Sequence, residues 1–176
     1  MKTHLKILTV IIATLAALSL SGCGKSENNS ARPATAPAPA SSSQAAAPND
    51  GRAIVITGND TMKFNLVEIR ATPGEALALT FKNEGTMPKF SMGHNWVLLA
   101  AGVDVNAFVN DASTAVKADY VPAAYKDRIL AATKLLGPRE SDTVHFKAPT
   151  KPGRYVFLCS FPGHFQVGMK GELIVE

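Results

Sequence analysis

The chain has 176 residues, 46% of them hydrophobic, with two cysteines and a formal net charge of +4 at neutral pH. Without Lys2 and Lys6, which belong to a leader, the balance is about +2; that is too small for a nucleic-acid surface, and no Arg/Lys cluster interleaved with aromatics occurs. A Cys23–Cys159 disulfide is possible by counting alone, but it would tie a flexible leader to a buried loop.

Residues 1–22 read as an export leader. Lys2 and Lys6 form a basic start, and Ile7 to Leu18 is an apolar run too short for an ordinary spanning helix. Leu20-Ser21-Gly22-Cys23 resembles the bacterial lipobox, which implies that Cys23 becomes the lipidated first residue of the mature protein. Gly24 rather than Asp follows, so nothing marks retention at the inner membrane, and the outer membrane is the expected site in a cell with two membranes. Each buried acyl methylene adds about 0.8 kcal/mol of membrane affinity, so lipid anchors the protein without a spanning segment. Residues 23–51 comprise that cysteine and an Ala/Pro/Ser linker, which buries too little apolar surface to offset its ordering entropy and is expected to be disordered.

Residues 52–176 are enough for one single-core domain. Ala53 to Thr57 is a short β-branched strand, turned by Gly58-Asn59-Asp60, and Met62 to Ile69 is a second candidate. Leu77, Leu79 and Phe81 share one face of a third strand. Asn95 to Ala100 is strongly apolar. Val105, Phe108, Val109 and Ala112 have helical spacing. Thr143 to Ala148 alternates, with His145 on the solvent side, and Arg154 to Ser160 and Glu172 to Val175 complete the set. The expected fold is all-β, an antiparallel sandwich of seven to eight strands with one short helical insertion.

The chemistry concentrates near the C-terminus. Cys159, His164 and Met169 have the spacing C-x4-H-x4-M, and His94 offers a second imidazole. One thiolate, two imidazoles and a weak thioether suit a trigonal copper site with a long axial ligand. Structural zinc prefers four strong Cys/His ligands, for which a thioether is a poor substitute. Each residue alone has a plainer role: a structural histidine, a small buried thiol, a core methionine.

Four segments, in order, closely resemble azurins: Gly58 to Asn65, Met92-Gly93-His94-Asn95-Trp96-Val97-Leu98, Ala132 to Gly137, and Cys159-Ser160-Phe161-Pro162-Gly163-His164. The resemblance covers nearly all of residues 53–176 and, with the lipobox and linker, points to the lipid-anchored forms. It implies a Greek-key cupredoxin sandwich, a type 1 copper and one-electron transfer without catalysis. His94, Cys159 and His164 then correspond to the equatorial ligands, Met169 to the axial one and Gly93 to a carbonyl approaching from the opposite side. Asn95 and Phe161 match residues that support the ligands, and Trp96 a buried tryptophan. Met62, Met87, Met92, Phe161, Pro162 and Phe165 form the candidate apolar ring for electron transfer around His164. The implied partners are redox proteins such as c-type cytochromes or copper and haem reductases and oxidases, with no small-molecule substrate. The implied location is periplasmic or otherwise extracytoplasmic.

Three departures stand out. Phe165-Gln166-Val167-Gly168 places one residue more between His164 and Met169 than azurins have, Gly168 being the candidate to absorb it. The azurin disulfide is missing, and Asn83 and Ala132 replace frequent histidines. Two other functions compete: a protein that buffers or delivers copper, and a thiol enzyme using Cys159 and His164. The enzyme lacks an orienting third group and an oxyanion-hole motif.

Overall fold

The computed structural model describes residues 51–176; the leader, Cys23 and most of the linker lie outside them. The described residues form two sheets. The first takes β1 (Arg52–Gly58), β3 (Ala76–Asn83) and β6 (Ser141–Lys147) in the order β1-β3-β6. The second orders β2 (Glu68–Ala71), β8 (Lys170–Val175), β7 (Gly153–Leu158), β4 (Val97–Leu99) and β5 (Ile129–Ala132) as β2-β8-β7-β4-β5. This is the cupredoxin sandwich. It is mixed rather than purely antiparallel, because β1 runs parallel to β3 and β2 parallel to β8.

Alternation in the sequence sets the inner faces. Ile54 and Ile56 of β1, Leu77, Leu79 and Phe81 of β3, and Tyr155 and Phe157 of β7 all enter the main core, where Trp96 is fully buried. Successive strand side chains point to opposite faces, so one register places the whole apolar set inside. The central strands β4 and β7 are buried on both faces. Leu98 and Phe157 face the first sheet, while Val97, Leu99 and Leu158 join a second cluster with Phe108, Val109 and Ala112. Those last three belong to α2 (Val105–Thr114), which is capped by Asp104: its carboxylate accepts from the Asn106 and Ala107 backbone N–H groups. A cap of this kind contributes about 1 kcal/mol. Burial on both sides explains why the β4 segment reads as a continuous apolar run.

Three elements differ from the sequence reading. The candidate strand from Met62 to Ile69 shrinks to β2, since the chain at Met62 turns with φ 55° and Asn65 N–H returns to the Thr57 carbonyl at 3.0 Å. Strand β5 has no alternation of its own; it forms because Ile129–Ala132 lies in register with β4. A short helix α1 (Lys89–Met92) also precedes His94.

Candidate metal centre

The β7–β8 ladder continues one step past the end of β7, where Cys159 N–H donates to the Met169 carbonyl at 3.0 Å. Cys159 and Met169 thus face each other at the mouth of a hairpin whose loop contains His164. Two further bonds tighten this loop: His164 N–H to the Phe161 carbonyl at 3.1 Å, and Met169 N–H to the His164 carbonyl at 2.9 Å. Gly163 and Gly168 take φ of +86° and +97°, a region that glycine enters without steric cost. Gly168 thus stands at a turn directly before Met169.

His94 enters from the other side, between α1 and β4. It forms an isolated bridge with Leu136, with N–H···O distances of 3.1 and 2.7 Å. Gly93 is required there by packing: a Cβ would lie 2.6 Å from the Lys89 carbonyl oxygen and 3.0 Å from Leu135 Cγ.

Three donor atoms converge. His94 Nδ1 and His164 Nδ1 are 3.1 Å apart, and Cys159 Sγ lies 3.4 Å from His164 Nδ1 and 4.0 Å from His94 Nδ1. First-row metal bonds of about 2.0 Å to nitrogen and about 2.3 Å to sulfur, set trigonally, would separate such donors by roughly 3.5 Å. The observed spacings lie around that value, so the residues fit a bound metal ion. His94, Cys159 and Met169 are completely buried, and His164 retains 3% of its surface. Nε2 of His94 is buried and makes no hydrogen bond.

The protonation states follow from burial. Desolvation pushes the Cys159 thiol up to about 12, against the pull of the Asn95 and Phe161 backbone N–H groups. Burial, and secondarily the nearby His94, lowers His164 to about 4; burial also lowers His94. At neutral pH the metal-free site therefore holds two neutral imidazoles, ready to donate lone pairs, and a protonated thiol that must lose its proton to a cation. Buried thiols without such neighbours are inert. What separates this one from them is the pair of imidazole nitrogens aimed at the same space.

Residues 52–176 match the family model for copper binding proteins of the plastocyanin/azurin family. The chain belongs to this family. It is 38% identical over 125 residues to azurin of Pseudomonas aeruginosa, covering 69% of this chain and 82% of that protein. It is 38% identical over 117 residues to auracyanin-B of Chloroflexus aurantiacus, where the match takes 66% of this chain and about half (48%) of the relative. Outer membrane protein H.8 of Neisseria gonorrhoeae is 37% identical over 114 residues, 64% of this chain and 61% of that protein. Among solved structures, reduced auracyanin from Roseiflexus castenholzii superposes with a TM-score of 0.61 at 38% identity, covering 70% of this chain and 96% of that one. His94, Cys159, His164 and Met169 make up a type 1 copper ligand set.

Around these ligands, Asn95 is completely buried. Its Oδ1 accepts from Ser160 N–H at 2.8 Å, and its Nδ2 donates to Ser160 Oγ at 2.8 Å and to the Asp119 carbonyl at 3.1 Å. Phe161 is buried, tilted against His164 at 4.7 Å and stacked edge-on with Tyr120 at 4.9 Å. Of the apolar ring, Met87 and Pro162 are exposed, and Met62 and Met92 are half-buried. Phe165 packs towards the α2 cluster and lies beneath the Lys170 ammonium at 4.7 Å.

Sequence reasoning missed two neighbours of the ligands. A Cβ on Gly58 would lie 2.7 Å from Met169 Cε, so its bare backbone makes room for the thioether. Lys63 donates to the Val167 carbonyl inside the ligand loop. Both lie in the azurin-like segment Gly58 to Asn65, but nothing in the sequence ties either to Met169 or to the ligand loop.

Proposed function

We propose that the protein is a blue-copper electron carrier that passes single electrons between redox proteins outside the bacterial cytoplasmic membrane, tethered by lipid on Cys23. The observation that carries this reading is the convergence of His94, Cys159 and His164 in a buried, cross-braced frame. Copper, when bound, supplies a one-electron Cu(II)/Cu(I) couple. The residues contribute the rest. Asn95 ties the His94 segment to Ser160, directly after Cys159, so the two ligand segments move together. Outer partners of this kind hold ligand orientation, and a frame that does not rearrange suits a site that must accept both oxidation states.

Burial favours a carrier over a protein that delivers copper. Handing a metal to a partner requires an incoming ligand, and here only His164 reaches the surface, with 3% of its area. That edge suits electron transfer, with Met87 and Pro162 exposed and Met62 and Met92 half-buried as a small apolar docking area. Weak redox encounters use small interfaces. Cytochromes of the c type or copper and haem enzymes are partners of suitable chemistry. The name of the Neisseria relative, an outer membrane protein, supports a membrane location, as does the lipobox-like Leu20-Ser21-Gly22-Cys23.

The test is the absorption spectrum of the copper(II)-loaded protein. An intense thiolate-to-copper charge-transfer band is expected, and Cys159→Ser abolishes it. A Cys159→Ser protein that kept the band would overturn the assignment.

A further inference from the structure

Lys63 lies far from the ligands in sequence, on the connection between β1 and β2. Its ammonium nevertheless donates to the carbonyl of Val167, inside the loop that joins His164 to Met169. The contact adds an anchor from outside the loop to a turn whose own backbone N–H groups are already used within it. Val167 N–H is used by the Gly163 carbonyl at 3.2 Å, Gly168 N–H by Phe165 at 2.9 Å and Met169 N–H by His164 at 2.9 Å. The Val167 side chain is 47% exposed, and the next residue, Gly168, is held at φ +97°. A Cβ on Gly168 would lie 2.7 Å from Lys63 Nζ, so the ammonium rests against the bare face of that glycine.

The connection that presents Lys63 is itself well fixed. Gly58 pairs with Phe64 in an isolated bridge, Asn65 N–H donates to the Thr57 carbonyl at 3.0 Å, and Thr57 N–H donates to Asn65 Oδ1 at 2.7 Å. Phe64, the next residue, is buried against Phe81 and Phe157. The same connection begins at Gly58, whose missing side chain admits the Met169 methyl. One rigid segment thus touches the ligand loop twice, at the turn before Met169 and at the end of its side chain.

We propose that Lys63 is a positioning residue: its ammonium pins the Val167–Gly168 turn and thereby sets Met169 relative to Cys159 and His164. The inference rests on the copper reading for its consequence but not for its geometry. A charge-assisted bond to a carbonyl is among the stronger single contacts available to a surface loop. Its loss leaves a turn built on a positive-φ glycine free to open locally while the sandwich stays closed.

The experiment is amide hydrogen exchange on the full chain, before and after copper loading, for the parent, Lys63→Met and Lys63→Arg. In the metal-free Lys63→Met protein, the Gly168 and Met169 amides exchange about tenfold faster, the Thr143 and Val144 amides of β6 are unchanged, and Lys63→Arg restores protection. After loading, Lys63→Met alters the relative intensities of the copper absorption bands, and Lys63→Arg returns them to the parental ratio. Parental exchange at Gly168 and Met169 in Lys63→Met overturns the proposal, and so does equal acceleration in β6, which would mean general loss of stability. Because exchange is first read without metal, that result is independent of whether the protein turns blue.

Discussion

Asn95→Ala probes the brace between the two ligand segments. The substitution deletes three contacts within the core, those of Oδ1 to Ser160 N–H and Oγ at 2.8 and 3.2 Å and that of Nδ2 to Ser160 Oγ at 2.8 Å. It also deletes the 3.1 Å bond to the Asp119 carbonyl, which lies on a half-buried residue that water can reach. Ser160 is 2% exposed, so its N–H and hydroxyl are left without partners. At about 1 kcal/mol net for each buried bond, with a desolvation penalty for the orphaned donor, the cost is roughly 3–4 kcal/mol. With a urea slope of about 1–3 kcal/mol/M, the midpoint of the metal-free protein falls by roughly 1–4 M. The assay is urea unfolding followed by fluorescence of Trp96, which is completely buried in the core. The slope should stay constant, since the fold is kept. A loss below about 1 kcal/mol would show that the Ser160 groups find other partners and that Asn95 does not brace the ligand segments.

Three other outcomes are expected. Gly58→Ala places a methyl 2.7 Å from Met169 Cε and 3.2 Å from the Phe81 ring; it costs about 1–3 kcal/mol by overpacking, and displacing the thioether raises the copper potential, so an unchanged potential in voltammetry would refute the role given to Gly58. Because His164 is lowered to about 4 in the fold and titrates near 6.5 when unfolded, the unfolded chain binds more protons between these values. The metal-free protein therefore loses stability as pH falls from about 6.5 to about 4, with His94 adding in the same direction; flat urea midpoints across that range would contradict the burial argument. Cys23→Ala leaves an uncut precursor in whole cells, and mass spectrometry that found an unmodified mature N-terminus elsewhere would exclude the lipid anchor.

Local pattern was enough for some features of this protein. The alternation in β1 and β3, the helical spacing of Val105, Phe108, Val109 and Ala112, and the soft donor set near the C-terminus are all visible in short windows of sequence. Each depends on a residue's own chemistry and on the period of its element, and the structure places those faces inward. Tertiary structure alone decided what depends on neighbours distant in the chain. The parallel pairings of β1 with β3 and β2 with β8, and the existence of β5, come from the registers that partner strands offer. The segment after Met62 reads as a strand, yet turns because Asn65 bonds back to Thr57 and Phe64 drops into the core. Spacing could suggest that Cys159, His164 and Met169 serve one ion, but only the fold brings His94 Nδ1 to 3.1 Å from His164 Nδ1. Gly58 and Lys63 lie in a segment that resembles azurins, but their contacts with Met169 and Val167 were not legible there for the same reason: a missing side chain and an exposed lysine acquire these roles only from what packs against them. Short-range periodicity says which side of a segment avoids water, whereas close approach between segments is a property of the assembled core.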